Sequence, residues 1–176
     1  MIMHPSARTA GFSIIEFVVV IVLIGVLAAV ALPRFIDTED DARQAALATM
    51  RGTLIDAAAL INAQARIEGL GEGSGSITVT GATIALHSGY PVSHWMQAVR
   101  YMVNQDTVVW TPAGTVCEAT WCARGNQTSL AGAPPVTGRA AKIWPRGYAW
   151  GDRCGVYYIN NENGEPPLVG ILDADC

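Results

Sequence analysis

GFSIIEFVVVIVLIGVLAAVALPRF, residues Gly11 to Phe35, is the stretch that determines how the rest of the chain is organised. From Phe12 to Leu32, its 21 residues include one charged side chain, Glu16, and one other polar side chain, Ser13. An apolar helix of about 20 residues can cross the roughly 30 Å hydrocarbon core of a bilayer. The stretch is therefore predicted to be a transmembrane helix. Insertion of a carboxylate into the bilayer within such a helix costs about 2.5–3.5 kcal/mol. A residue kept at that cost is expected to have a function.

Two ordinary interpretations explain this stretch incompletely. A secretory signal peptide has an apolar core of about 7–15 residues followed by a small-residue cleavage site. Here the core is longer, it contains Glu16, and no Ala-x-Ala-like site ends it cleanly. A plain membrane anchor accounts for the length but makes Glu16 a residue that merely reaches the interface. The short leader MIMHPSARTAG, which ends at Gly11, suggests a third interpretation.

The sequence Gly11-Phe12-Ser13-Ile14-Ile15-Glu16, followed by an unbroken apolar run, resembles the class III leader of type IV pilins and type II secretion pseudopilins. The resemblance implies that a prepilin peptidase cuts between Gly11 and Phe12 and methylates the new amino group of Phe12. Glu16 stands where the family has its glutamate. Gly25 and Pro33 match the glycine and proline that loosen the family's helix.

Glu16 then has a physical role in assembly. Cleavage would create a positive amino group on Phe12 in an apolar setting, and neither that charge nor the Glu16 carboxylate is tolerable alone at low dielectric. In a helical filament, Glu16 of one subunit can neutralise the amino group of the next. The pair would set the register of the subunits, as one buried polar residue does in a coiled coil.

Composition limits the function classes. The 176 residues are 51% hydrophobic and carry a net charge of −4, which becomes −5 when the leader with Arg8 is removed (10 basic against 15 acidic residues). This balance argues against a nucleic-acid-binding protein, which normally presents a basic face. The four cysteines are even in number and, together with an exported anchor, suggest two disulfides formed in an oxidising compartment.

Residues 12–67 are predicted to form one long helix, with Pro33 as a bend. Its first part, 12–35, is the apolar stem, and its second part, 36–67, is amphipathic. The apolar stripe of the second part repeats at helical spacing and is expected to pack on a globular head; it comprises Leu47, Met50, Leu54, Ala58, Ile61 and Ala65. The acidic residues 37–41 are interpreted as a solvated collar, with salt bridges to Arg34 or Arg43 as the alternative. GLGEGSGS, residues 69–76, should end the helix.

Residues 68–176 are predicted to be the head. Strands are expected at 77–80, 82–86, 107–111, 142–144, 156–159 and 168–172, with a short helix over SHWMQAVRYMVNQ, residues 93–105. DDARQAALATMRGTLIDAAALINAQA, residues 40–65, and Ser88-Gly89-Tyr90-Pro91 resemble mannose-sensitive haemagglutinin (MSHA)-type pilins. The resemblance implies an α+β type IV pilin fold, in which a long hydrophobic N-terminal helix packs against a small antiparallel sheet.

Cys117 and Cys122 enclose only four residues, and a bridge between them is sterically possible. The family closes its C-terminal region with a disulfide, so the resemblance implies Cys154–Cys176, and the predicted pairs are Cys154–Cys176 and Cys117–Cys122. Four cysteines allow three connectivities, and the sequence cannot choose among them.

No catalytic motif is found: G-x-S-x-G, P-loop and H-E-x-x-H sequences do not occur. The chain is therefore predicted not to be an enzyme and to need no cofactor or metal.

His87 and His94 are expected to be solvated. Asp152, Asp173 and Asp175 could hold Ca²⁺, but solvated loop acids are the preferred interpretation. The five tryptophans are expected in the core or in subunit contacts, with a binding role open for exposed ones; they are Trp95, Trp110, Trp121, Trp144 and Trp150.

The resemblance implies a structural subunit of a type IV (MSHA-like) pilus for adhesion, surface attachment or motility. It would be an inner-membrane precursor that becomes an extracellular homo-oligomeric filament. Its implied partners are the prepilin peptidase/N-methyltransferase, an inner-membrane platform protein and an assembly ATPase. The alternatives are a minor pilin or type II secretion pseudopilin that primes a secretion or DNA-uptake filament, and a membrane-anchored periplasmic enzyme or binding domain.

Overall fold

The structure is a computed structural model that describes residues 12–176, with only the backbone described for residues 30–38. The chain divides into two compact units, residues up to Ala42 and Arg43–Cys176. Helix α1, Ile14–Ile67, contributes residues to both units. No helix in the described part of the chain combines the length and apolarity needed to cross a membrane.

The two ends of α1 follow from local sequence. Ser13 caps its start, because the Ser13 Oγ accepts a hydrogen bond from the Ile15 amide at 3.3 Å. At the other end, the Gly69 amide bonds to the Arg66 carbonyl and the Leu70 amide bonds to the Ala65 carbonyl. Gly69 has a φ of +75°, the left-handed conformation that this C-terminal motif requires. The prediction that the glycine-rich segment ends the helix is confirmed.

The apolar stripe of α1 forms one side of the core of the Arg43–Cys176 unit. Leu47, Leu54 and Ala65 are fully buried, Ala58 and Ile61 nearly so, and Met50 is half-buried. They share one apolar cluster with residues from both sheets, which include Ile77, Ile84, Leu86, Ala123, Ala141, Ile143, Val156 and Tyr158. Burial of each large side chain contributes about 1.5–3 kcal/mol. The stripe is therefore the face of α1 that is buried in the core of this unit.

Two sheets face this helical segment. The first is antiparallel in the order β1-β2-β3, with β1 Ser74–Val79, β2 Ala82–His87 and β3 Tyr90–Pro91. The second has the order β4-β5-β6-β7-β8, with β4 Val108–Trp110, β5 Trp121–Gln127, β6 Arg139–Pro145, β7 Gly155–Asn160 and β8 Leu168–Leu172. All pairs are antiparallel except β4 with β5, which is parallel. The α+β class is confirmed.

Polar side chains of β7 join the two sheets. The Tyr158 hydroxyl donates to the Pro91 carbonyl at 2.7 Å. The Asn160 side-chain amide donates to the same carbonyl at 3.1 Å, and the Asn160 backbone amide donates to the Ser93 Oγ at 3.0 Å. Tyr158, Asn160 and Ser93 are buried, so these bonds are made away from water.

The prediction of a short helix over residues 93–105 is wrong. Only Val99–Tyr101 form a helical turn, of the 3₁₀ type. The carbonyl of Gln97 accepts from the Ala85 amide of β2 at 3.0 Å, and the carbonyl of Ser93 accepts from the Asn126 amide at 2.6 Å. These tertiary partners take the two carbonyls that an α-helix would pair with the Gln97 and Tyr101 amides, whereas the Ala98 amide still bonds to the His94 carbonyl at 3.0 Å.

Candidate functional site

The start of α1 presents an uncovered apolar surface. From Phe12 to Leu27, every Phe, Val, Ile and Leu side chain is exposed, with fractional exposures between 41% and 84%. Contiguous apolar patches larger than a few hundred Å² are rare on soluble monomers and mark contact surfaces. This segment therefore needs an apolar environment or apolar partners.

Glu16 is the one charged residue on that surface. It lies in the first turn of α1, is exposed, and is surrounded by apolar side chains. An acid in the first helical turn is favoured by the helix dipole. Within residues 12–176, no ion pair to Glu16 is found. When the apolar surface is covered, the Glu16 carboxylate will need a cation supplied from elsewhere.

Three other residues singled out from the sequence belong to the same region. Gly11, and with it the expected cleavage site, lies outside the described residues. A Cβ added at Gly25 would meet nothing within 4 Å. The α1 backbone continues through Pro33, whose side chain is among those not described. The loosening role of Gly25 and Pro33 stays a prediction.

The C-terminal loop of the second unit is closed covalently. The four cysteines form the disulfides Cys117–Cys122 and Cys154–Cys176. Of the three connectivities that the sequence allows, this is the one implied by the resemblance.

Hydrogen bonds then attach this loop to α1. The backbone oxygen of Cys176 accepts from the Arg43 Nη1 at 2.5 Å and from the Tyr148 hydroxyl at 3.1 Å. Arg51 donates through Nε to the Val169 carbonyl of β8 at 3.1 Å. Bonds from charged donors contribute about 1.5–3 kcal/mol each, so the loop is a fixed part of this unit.

A buried lysine, which the sequence did not single out, organises the turn before Cys154. Lys142 of β6 is fully buried, and its Nζ donates to three carbonyl oxygens, those of Ala149, Trp150 and Asp152. The Nζ also lies 5.5 Å from the Trp144 ring centroid and 5.9 Å from that of Trp150. Desolvation lowers the pKa of Lys142 to about 8, although the charges of Asp152 and Asp175 raise it.

Two of the three carboxylates considered for Ca²⁺, those of Asp152 and Asp175, have other partners. Asp152 accepts from the Ala149 amide at 2.8 Å. Asp175 forms a salt bridge with Arg153 at 2.7 Å, and hydrogen bonds from Arg153 lower the pKa of Asp175 to about 2. Among the described residues, no group of three His, Cys, Asp or Glu side chains could hold a metal ion.

The tryptophans separate into core and surface residues. Trp95 and Trp144 are buried, Trp121 and Trp150 are half-buried, and the Trp144 and Trp150 rings pack edge to face at 5.9 Å. Trp110 differs because it is 50% exposed.

Comparison with known proteins shows a similarity over part of the chain. The chain is 42% identical over 59 residues to the type IV narrow pilus major component PilA5 of Thermus thermophilus, a match covering 34% of this chain. The chain spans about half the length of this relative, since the match covers 51% of it. No protein-family model and no solved structure matches the chain. The similarity supports a relationship to the type IV pilins.

Proposed function

We propose that this chain is a structural subunit of a type IV pilus filament of the MSHA-like kind, which serves adhesion, surface attachment or motility. The observation that carries the proposal is the uncovered apolar surface from Phe12 to Leu27 with a single acid, Glu16, in its first turn. The similarity to a type IV pilus major component supports it. A structural subunit needs no catalytic site.

The apolar surface can be buried by packing against the same helix of other subunits. Side by side, the apolar helices of several subunits remove each other's side chains from water, which contributes about 25 cal/mol per Å² of apolar area. The apolar run of the sequence extends to Leu32, beyond the side chains that the structure describes, and lipid would cover it before assembly; the precursor is therefore proposed to reside in the inner membrane as a single-pass protein.

The pairing of Glu16 with the amino group of a neighbouring Phe12 would fix the register of the filament. Removal of one partner of a buried ion pair costs about 3–5 kcal/mol, because the remaining charge is left uncompensated. A subunit without the Glu16 charge should therefore be rejected from the growing filament. Apolar attraction alone cannot select one register, since it does not depend on direction.

Processing and division of the chain follow from the same proposal. Residues 1–11 are the leader, which a prepilin peptidase removes before it methylates Phe12. Residues 12–35 are the stem, loosened at Gly25 and Pro33, and residues 36–67 continue the helix under the head of residues 68–176. A platform protein and an assembly ATPase would drive export of the filament to the cell surface.

The test is co-assembly of a charge-neutral variant. Glu16→Gln keeps the size and polarity of the side chain but removes its charge. Asp56→Asn is the matched control, because Asp56 is an exposed acid of the same helix that lies outside the apolar run. Each variant is expressed beside tagged wild-type protein, and its ratio to wild type is measured in sheared surface fibres and in membranes.

We expect Glu16→Gln to be depleted at least tenfold in fibres and Asp56→Asn to enter normally. Equal incorporation of the two variants would show that Glu16 does not set the register. The amount of this chain in the fibres also separates a major pilin, which dominates them, from a minor pilin or pseudopilin.

A further inference from the structure

A shallow cavity lies between the edge strand β4 and the 3₁₀ turn Val99–Tyr101. Its volume is about 270 Å³. Trp95, Arg100, Gln105, Val108, Val109 and Trp110 line it. Drug-sized ligands occupy pockets of about 300–1,000 Å³, so this cavity has room for a single ring of a ligand that extends into solvent.

Arg100 supplies the charge of this cavity. Its guanidinium carbon lies 4.8 Å from the Tyr101 ring centroid, and its Nη1 donates to the Met96 sulfur at 3.8 Å. The Nε of Arg100 is buried and has no hydrogen-bond partner. Across residues 12–176 the structure shows no acidic partner for Arg100. The guanidinium thus has an aromatic ring and a weak sulfur acceptor as neighbours but no carboxylate, which leaves donors that could bind an anion.

Trp110 supplies an apolar face beside that charge. Trp110 is 50% exposed and its neighbour Val109 is 49% exposed, whereas Val108 and Trp95 form the buried floor. Exposed tryptophan is uncommon away from contact sites, since its large ring is otherwise buried. Gln105 is exposed at the rim and offers an amide that can both donate and accept.

We propose that this cavity binds an acidic saccharide, with the carboxylate of a uronic acid on Arg100 and the carbon–hydrogen face of its ring on Trp110. The two oxygens of a carboxylate can accept two parallel hydrogen bonds from the N–H groups of a planar guanidinium. A sugar ring presents an apolar face and hydroxyl groups, for which Trp110 and Gln105 are respectively suited. All of the residues of this cavity lie in the Arg43–Cys176 unit.

Nucleic acid fits these residues less well, although it also combines anions with flat rings. Binding of single strands uses a positively charged groove that follows the backbone, and the affinity depends on several Lys or Arg contacts. The cavity contains one cation, and the whole chain has a net charge of −4.

The experiment measures binding to the full chain purified in detergent. The probes are an oligomer of galacturonic acid, the uncharged galactose oligomer of equal length, and single-stranded oligothymidylate, each titrated calorimetrically at fixed salt. The variants are Arg100→Gln, Trp110→Ala and Trp110→Phe, and the control is Arg139→Gln, an exposed arginine outside the cavity. Far-ultraviolet circular dichroism melting verifies that each variant is folded.

We expect the galacturonate oligomer to bind at least tenfold more tightly than the galactose oligomer. Arg100→Gln and Trp110→Ala should each weaken binding at least tenfold, while Trp110→Phe and Arg139→Gln retain it. Absence of galacturonate binding would overturn the proposal. Equal losses in Arg100→Gln and Arg139→Gln, or equally tight binding of oligothymidylate, would also overturn it, because the attraction would then be a general one for polyanions.

Discussion

The two disulfides should contribute unequally to stability. In the chain-entropy model, a cross-link stabilises a protein by restricting the unfolded chain, and the effect grows with the length of the closed loop. Cys154–Cys176 has a sequence separation of 22, for which the model gives about 3 kcal/mol at 25 °C. Cys117–Cys122 has a separation of 5, for which it gives about 2 kcal/mol.

Contacts of Cys176 increase this difference. If the end of the loop is released, the bonds that its backbone oxygen accepts from Arg43 and Tyr148 are lost as well. The cross-link contributes about 3 kcal/mol and each of the two bonds about 1 kcal/mol or more, so the variant Cys154→Ala/Cys176→Ala should lose about 5 kcal/mol or more in total. The matched variant Cys117→Ala/Cys122→Ala should lose about 2 kcal/mol.

The assay is guanidinium chloride unfolding of the full chain in detergent, followed by near-ultraviolet circular dichroism of the tryptophans. Free energies of unfolding come from linear extrapolation for wild type and both double variants. A loss for Cys117→Ala/Cys122→Ala that equals or exceeds the loss for Cys154→Ala/Cys176→Ala would refute the reasoning from loop length and from the Cys176 contacts.

Three further predictions concern polar side chains of the same unit. Asn160→Ala should lower the free energy of unfolding by about 1–3 kcal/mol and Tyr158→Phe by about 1 kcal/mol, as measured by denaturant titration; an unchanged midpoint in both would contradict a role in joining the sheets. Folding lowers the pKa of Lys142 from 10.5 to about 8, so between pH 8 and 10.5 the unfolded chain binds more protons than the folded chain. The free energy of unfolding, measured by denaturant titration, should therefore rise with pH across this range in wild type, and this rise should be absent in Lys142→Met. Carbon-13 NMR titration should place the pKa of Asp175 at about 2 in wild type and nearer 3.8 in Arg153→Gln; identical titrations would exclude the salt bridge as the cause.

Elements with a local cause could be predicted from the sequence. The buried stripe from Leu47 to Ala65 repeats at the helical period, and Gly69 ends α1 by a motif that needs a left-handed residue. Strands β2, β7 and β8 coincide closely with the segments predicted for them, 82–86, 156–159 and 168–172. In each case the determining residues are neighbours in sequence.

Features that depend on distant residues could not be predicted. The helical pattern of residues 93–105 is overridden by bonds from Ala85 and Asn126, whose approach has no signal within the pattern. A lysine in a predicted strand is expected to be exposed. Lys142 is buried because the turn closed by Asp152 supplies the carbonyl oxygens that bind its ammonium group. The parallel pairing of β4 with β5 is likewise a property of the assembled sheet.

The candidate site was predictable only in part. Glu16 stands out because it interrupts an apolar run, and its exposed position among apolar side chains agrees with that pattern. The neighbourhood of Arg100 and Trp110 has no sequence signature, since the two residues come from separate elements that the fold brings to one cavity.

Electron microscopy with mass spectrometry of sheared surface material tests the central claim most directly, namely that the apolar start of α1 exists to assemble copies of this chain. The account predicts fibres in which this chain begins at an N-methylated Phe12. Recovery of the chain only as separate molecules, with residues 1–11 still attached, would contradict it.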